Sequence, residues 1–248
     1  MFCGAFTRGD LVAQHISRRE LKTDEVRETL AHGAEAVLSH QQVTLYLVLL
    51  AIAVAVGIYG WRQYGDRQAA RASLALDAAM KVFNAPVGVP PTPGQITYTE
   101  EKNKYTDAEK KFSEVASGYP RTHSGRVAAY YAALSLEKLD KNDEAKKRLR
   151  ELAGGSEEEM AAVAKFELAG LDERTGQRDE AIKLYQELIA KPALLVPKPV
   201  VMLALARCYR EKNPSEAAKL YNQIKSDYPD TPVAQQADQA LAVLSGKS

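Results

Sequence analysis

Residues 179–185, with the sequence DEAIKLY, contain the pattern that decides the fold of this chain. The same pattern occurs at residues 107–112 (DAEKKF), 143–149 (DEAKKRL) and 215–221 (SEAAKLY). The alanines of the four copies, Ala108, Ala145, Ala181 and Ala217, are 37, 36 and 36 residues apart. Large residues follow each alanine four and seven positions later, which is the spacing of one face of an α-helix. The chain therefore repeats a helical unit.

Further helical runs lie between these copies, at residues 127–139, 158–174 and 200–210, and short turns join them. We predict helix pairs at about residues 66–83 with 97–118, 122–139 with 142–153, 156–174 with 178–190, and 198–211 with 213–227, and then a capping helix at 231–244. The repeat thus predicts an all-α fold in which about four helix pairs stack as an α-solenoid.

Local capping signals suggest where several helices begin. The predicted caps are two capping boxes, Thr97-x-x-Glu100 and Ser156-x-x-Glu159, and two polar residues before a proline, Asn213 and Thr231. In a capping box the side-chain oxygens accept hydrogen bonds from free backbone N–H groups of the first turn. The acidic run at residues 157–159 is explained by the positive end of a helix dipole rather than by a metal site.

A second pattern precedes the repeats, the apolar stretch VTLYLVLLAIAVAVGIYGW at residues 43–61. It contains no charged residue, and as a helix it would span about 28 Å, close to the hydrocarbon thickness of a bilayer. A buried helix of a soluble protein is less favoured, because the stretch is apolar on every face and ends at Trp61 and Arg62. A cleaved signal peptide is disfavoured by the 42 residues before it. We predict a single transmembrane helix that contacts membrane lipid.

This anchor divides the chain into a leader at residues 1–42, the anchor at 43–61 and a repeat domain at 62–248. The leader is expected to be partly disordered, with a short helix at residues 18–38. Near the anchor, the leader side has Arg27, whereas the repeat side has Arg62, Arg67, Arg71 and Lys81. By the positive-inside rule alone, the repeat domain would lie in the cytoplasm.

Charge composition argues against nucleic acid as a partner. The 33 basic and 32 acidic side chains nearly balance, whereas phosphate binding needs a concentrated basic surface. The densest basic cluster is Lys146, Lys147, Arg148 and Arg150, which we interpret as a solvated helix face. Cys208 lies within an apolar helical pattern and is expected to be a small core residue.

No pattern of catalytic or metal-binding residues stands out. Of the four histidines, only His123 lies in the repeat domain, and no second ligand lies at metal spacing from it. His123 and Ser124 are neighbours in sequence, which does not make a base and nucleophile pair, so His123 is interpreted as a loop residue. There is no glycine-rich phosphate loop. We therefore predict no enzymatic activity, no metal, no cofactor and no small-molecule substrate.

The repeat resembles that of tetratricopeptide repeat (TPR) proteins. The residues that carry the resemblance are the pairs Leu168-Ala169 and Leu205-Ala206, the aromatics Tyr185 and Tyr221, and the prolines Pro120 and Pro229. The chain departs from the family pattern because no tryptophan marks the first helices. The resemblance implies a concave face that is lined by the first helix of each pair and binds extended protein segments.

Carried onto this chain, the TPR pattern implies eight groove positions. They are Val127, Tyr130, Val163, Phe166, Arg174, Leu203, Arg207 and Arg210. Apolar anchors and arginines of this kind suit peptide segments with carbonyl or carboxylate groups. Packing between repeats is an equal alternative for the two aromatic residues, and plain solvent exposure is the favoured interpretation of the arginines.

The order of parts is similar to that of a narrower family, the ancillary SecYEG translocon subunits of the bacterial inner membrane, whose repeat domain shares its name with a cell-division coordinator. The shared features are a leader, a membrane helix that ends in Gly60-Trp61-Arg62, the segment at residues 69–74 and divergent repeats. The resemblance implies a cytoplasmic N-terminus and a periplasmic repeat domain, opposite to the positive-inside expectation. It also implies translocon subunits, periplasmic chaperones or emerging polypeptides as partners. An envelope-assembly or cell-division scaffold is the alternative function.

Overall fold

A computed structural model of the chain describes residues 41–90 and 93–246. In these ranges the chain forms nine α-helices and no strand. They are α1 Gln41–Phe83, α2 Glu101–Gly118, α3 His123–Lys138, α4 Asn142–Ala153, α5 Glu158–Arg174, α6 Arg178–Ala190, α7 Lys198–Lys212, α8 Pro214–Asp227 and α9 Pro232–Leu244. The predicted all-α solenoid is confirmed, whereas the leader helix predicted at 18–38 lies outside the described residues.

The chain divides into two compact units, Met1–Tyr64 and Gly65–Ser248, and the boundary falls within α1. In the first unit, α1 is long and apolar enough to cross a membrane. Its large apolar side chains from Val43 to Trp61 are all exposed. That exposure is the opposite of what a core helix of a soluble protein shows.

In the second unit, the repeated residues form the core. The four alanines of the repeat are completely buried. The large residue four positions after each alanine is also buried, and each belongs to a separate apolar cluster: Phe112, Leu149, Tyr185 and Tyr221. An alanine lets a neighbouring helix approach closely, and the large residue one turn later fills the space beside it. Cys208 is buried in one of these clusters, as predicted.

Successive helices of this unit pack against one another in chain order. In addition, α3 contacts α5, α5 contacts α7, and α7 contacts α9. Among the described residues, no such contact joins α4 to α6 or α6 to α8. The first helices therefore form an inner layer and the second helices an outer layer, which is how a curved helical array exposes a concave face.

Both caps before proline are confirmed. The Asn213 side chain accepts a hydrogen bond from the N–H of Glu216, and the Thr231 hydroxyl accepts one from Ala234. A third cap was not predicted: the Thr122 hydroxyl accepts from the N–H of Gly125 at 3.0 Å. His123 consequently begins α3 and is not a loop residue.

Both predicted capping boxes are wrong. Helix α2 begins at Glu101, because a short bridge holds Tyr98 in an extended conformation: its N–H donates to Pro86 O and its carbonyl accepts from Gly88 N. Helix α5 begins at Glu158, and the carboxylate of Glu159 does not turn back to Ser156. It accepts hydrogen bonds from the loop between α6 and α7 instead.

The interpretation of residues 146–150 as a solvated basic face is also wrong in part. Lys146 is buried, and its Nζ lies 2.7 Å from Asp172 Oδ1. Arg148 is half-buried and its guanidinium donates to Glu109 at 2.8 Å. Lys146 directly follows the repeat alanine, a position that faces the next helix pair, so its charge needs a partner there. Lys147 remains exposed.

Candidate partner-binding groove

The inner layer places the eight predicted groove residues on three helices: Val127 and Tyr130 on α3, Val163, Phe166 and Arg174 on α5, and Leu203, Arg207 and Arg210 on α7. Arg174, Arg207 and Arg210 are exposed, the two valines and two aromatics are half-buried, and Leu203 is only 8% exposed. Leu203 could contact a partner only if the core opened, so its role in the groove stays a prediction. The other seven offer surface to a ligand.

Three of the predicted residues, Phe166, Arg174 and Arg207, line one cavity of about 420 Å³. Gly170 and Tyr185 line it as well. A Cβ at Gly170 would lie 3.2 Å from Arg174 Nη1 and 3.8 Å from the Tyr185 hydroxyl, so glycine leaves room for both polar groups. The cavity thus combines an aromatic wall with guanidinium groups, and the carboxylates of Glu167 and Glu173 also line it.

Both aromatic groove residues also contact other rings. The centroid of Phe166 lies 5.7 Å from that of Tyr185, and Tyr130 lies 5.5 Å from Tyr131 in an edge-on arrangement. Phe166 packs against the apolar cluster around Tyr185. The two roles considered from the sequence are therefore compatible, because a half-buried ring has one side in the core and another at the surface.

Arg174 is held in an ion-pair network. Its Nη2 lies 2.9 Å from Glu137 Oε1 and 3.2 Å from Glu167 Oε1. The Tyr130 hydroxyl lies 3.5 Å from Glu167 Oε2. Because each contact joins α3 to α5 or lies along α5, the network sets the orientation of the guanidinium before any ligand binds.

Burial raises the pKa of Glu137 above its ordinary value, although the nearby Arg174 guanidinium works in the opposite direction. The Oε2 atom of Glu137 is buried and accepts no hydrogen bond from protein groups. Burial, together with the Glu167 carboxylate, also raises the pKa of Tyr130. The Tyr130 hydroxyl therefore stays protonated and can donate a hydrogen bond at neutral pH.

The acidic members of this network, Glu137 and Glu167, were not predicted from the sequence. A signal for them exists: Glu167 lies 37 residues after Tyr130, and Arg174 lies the same distance after Glu137. Residues one repeat apart on first helices become neighbours when the helices stack. The repeat period of 36 to 37 could therefore have identified both contacts.

Other polar clusters link repeats. His123 Nδ1 lies 2.6 Å from Glu157 Oε1, and Arg126 also pairs with Glu157. Burial alone would raise the pKa of Glu157, but its hydrogen bonds to His123 and Arg126 bring it below the ordinary value. Burial and the nearby Glu173 raise the pKa of the Cys208 thiol to about 12, which makes it a poor nucleophile. Within the described ranges, no group of three or more acidic, histidine or cysteine side chains is arranged to hold a metal ion.

Comparison with known proteins agrees with the repeat architecture. Residues 39–192 match the family model described as a tetratricopeptide repeat-like domain, and residues 200–231 match a tetratricopeptide repeat. No curated protein sequence matches the chain. Two crystal structures from Podosopora anserina are similar, one of a putative kinesin light chain with nearly identical TPR-like repeats and one of a single-residue variant of it.

Each of these structures has a TM-score of 0.53 at 16% identity and covers 71% of this chain and 86% of its own. At that identity the likeness supports the fold alone. TPR repeats mediate protein–protein binding, and none of the matches indicates an enzyme family. The family match covers more than half of the sequence and begins before the apolar stretch. The chain therefore belongs to the tetratricopeptide repeat-like domain family.

Proposed function

We propose that this protein is a membrane-anchored interaction module that serves as an accessory or chaperone-linked subunit of the secretion translocon. Helix α1 anchors it in the bacterial inner membrane, with the N-terminus in the cytoplasm and the repeats in the periplasm. The groove binds extended segments of translocon subunits, periplasmic chaperones or emerging polypeptides. Anchoring raises the local concentration of the groove beside the translocon, so modest affinity per site suffices.

The observation that supports this proposal is the cavity lined by Phe166, Arg174 and Arg207 on the inner layer. An aromatic anchor beside guanidinium groups fits a peptide segment with an apolar side chain next to a carboxylate or a free carbonyl. Arg174 is already oriented by two carboxylates, so a peptide meets an arrangement that needs little ordering on binding.

The test is photo-crosslinking in cells. A photoreactive residue at Phe166 of the full chain should capture a defined set of proteins that includes translocon subunits or periplasmic chaperones. The matched control places the same residue at Lys147, which is exposed on the outer-layer helix α4. Equal capture at the two positions, or none at Phe166, would contradict binding in the groove.

A second variant keeps the fold and changes the groove charge. Arg207→Ala should reduce capture at Phe166, whereas Arg150→Ala, which removes an exposed arginine from α4, should leave it unchanged. Capture of division proteins instead, with septal localisation of a fluorescent fusion, would favour the cell-division scaffold.

Orientation requires its own measurement because the sequence signals conflict. An alkaline phosphatase fusion after Ser248 is active only outside the cytoplasm, so we expect activity. Activity of a cytoplasmic reporter alone at the same point would contradict the periplasmic location and remove periplasmic chaperones as partners.

A further inference from the structure

The connection between α6 and α7 exposes two adjacent leucines. Residues 191–197, KPALLVP, form a tight turn in which Ala193 and Val196 are bridged and two adjacent leucines occupy the tip. Leu194 is 85% exposed and Leu195 is 57% exposed. Turn tips normally carry glycine, asparagine, aspartate or serine. The corresponding connections at residues 119–122 (YPRT) and 228–231 (YPDT) have an arginine and an aspartate instead of leucines.

The loop is held so that these leucines point outward. The Glu159 carboxylate of α5 accepts hydrogen bonds from both leucine N–H groups, at 3.0 Å from Leu194 N and 2.8 Å from Leu195 N. Val196 is buried in the core cluster around Tyr185 and fixes the other side of the turn. A flexible loop would fold its leucines against the surface, whereas this one is fixed by a carboxylate from the preceding helix pair.

The same bonds remove the main obstacle to entering an apolar medium, which is free backbone N–H groups. The N–H groups of Leu194 and Leu195 are bonded to Glu159, and that of Val196 to Ala193 O. The prolines at 192 and 197 have no N–H. Three backbone N–H groups of the turn, those of Leu194, Leu195 and Val196, therefore keep a protein partner when the tip leaves water.

We propose that Leu194 and Leu195 insert into the lipid surface of the bilayer in which the chain is anchored. Two lysines, Lys191 and Lys198, flank the apolar tip, and this arrangement suits a headgroup region with anionic lipids. The Lys191 ammonium pairs with Glu158 at 2.6 Å, but both side chains are mostly exposed, so the lysine can exchange this partner for a lipid phosphate. The contact rests on the membrane anchorage of the proposed function. It would act as a second, weaker attachment of the chain to the membrane.

The test uses the full chain reconstituted in vesicles of phosphatidylcholine and phosphatidylglycerol. In a Cys3→Ser background, Leu194→Cys is labelled with a polarity-sensitive fluorophore, and Cys208 is not labelled because it is buried. The matched control is Arg121→Cys, an exposed tip residue of the corresponding connection. We expect the label at 194 to shift to the blue and to lose most of its emission when the vesicles contain spin-labelled lipid, and the label at 121 to do neither.

An unshifted label at position 194 would overturn the proposal. A label that shifts but is not quenched by spin-labelled lipid would also overturn it, because protein rather than lipid then covers the leucines. Glu159→Ala should reduce the quenching, whereas Glu158→Ala should not; equal quenching in both would refute the positioning role of Glu159. Flotation of the chain with the vesicles is measured in every sample. A chain that does not float contradicts the membrane anchor itself, whereas a floating chain with an unshifted label contradicts only the loop contact.

Discussion

Replacement of Lys146 by methionine should destabilise the repeat unit by about 3–5 kcal/mol, because it leaves the Asp172 carboxylate buried without its cation. The two side chains are 5% and 2% exposed, and Lys146 Nζ lies 2.7 Å from Asp172 Oδ1. At that depth water cannot replace the lost ammonium. The same change at an exposed ion pair would cost about 1 kcal/mol or less.

The lysine also donates to two residues of the turn between α5 and α6, Thr175 Oγ1 at 2.5 Å and Gln177 Oε1. Both residues are exposed, so their side chains can turn outward to water in the variant. The loss of these two hydrogen bonds should therefore cost little, and the expected loss of stability is that of the Lys146–Asp172 charge pair.

The assay is guanidinium denaturation of the full chain in detergent micelles, followed by far-UV circular dichroism. Lys147→Met is the matched control, because its side chain is the next lysine along α4 but is exposed, and we expect a change below about 0.5 kcal/mol. The double variant Lys146→Met/Asp172→Leu should recover most of the loss, since an apolar pair of similar volume can replace a buried ion pair. A Lys146→Met protein within about 1 kcal/mol of the wild type would refute the reasoning.

Three further predictions concern single sites. Gly125→Ala should lower stability by about 2 kcal/mol or more, because its Cβ would lie 1.9 Å from a backbone carbonyl oxygen. Gly118 has open space around it, so Gly118→Ala should be neutral or stabilising in the same denaturation assay. Glu157→Gln should cost about 1 kcal/mol at neutral pH. Hydrogen bonds from its basic partners hold the pKa of Glu157 below the ordinary value in the folded chain. The difference in stability should therefore disappear as the pH falls through the ordinary carboxyl range to the lower pKa of the folded state. A difference that persists in acid would exclude the ion pairs as its source. The Cys208 thiol should react with a soluble thiol reagent at about pH 8 far more slowly in the folded than in the denatured chain, measured by mass spectrometry; similar rates would show that the helix opens.

The fold could be predicted because its determinants are local and periodic. Ala181 and Tyr185 are four residues apart on one helix face, and both are buried as that spacing requires. The caps at Asn213 and Thr231 were predictable for the same reason, since a cap bonds a backbone group three residues away. In such patterns, the residues that interact lie within a few positions of one another in the sequence.

The capping boxes failed where a competing partner came from a distant part of the chain. Tyr98 bonds backbone groups near Pro86, and Glu159 bonds Leu194 and Leu195 in the loop after α6. A polar side chain bonds whichever partner lies near it in the packed structure, and the residues next to it in sequence do not show which partner that is. The groove residues differ in this respect: Arg174 was predicted, and its missed partner Glu137 could have been found by applying the repeat period to polar residues.

Several of the polar contacts missed from the sequence share one property, which is that they join one helix pair to the next. Arg148 with Glu109, Lys146 with Asp172, and Arg174 with Glu137 each cross such a junction. Apolar residues at helical spacing make the helices stack, but many offsets would bury similar areas. Paired charges at defined positions permit fewer offsets, since a shifted register would leave them unpaired. Because repeat arrays interact mainly between nearest neighbours, breaking one link should loosen the junction that it bridges and leave distant junctions intact. The groove depends on this restriction, because its cavity is formed by residues from α5, α6 and α7 and keeps its dimensions only while those helices keep their register.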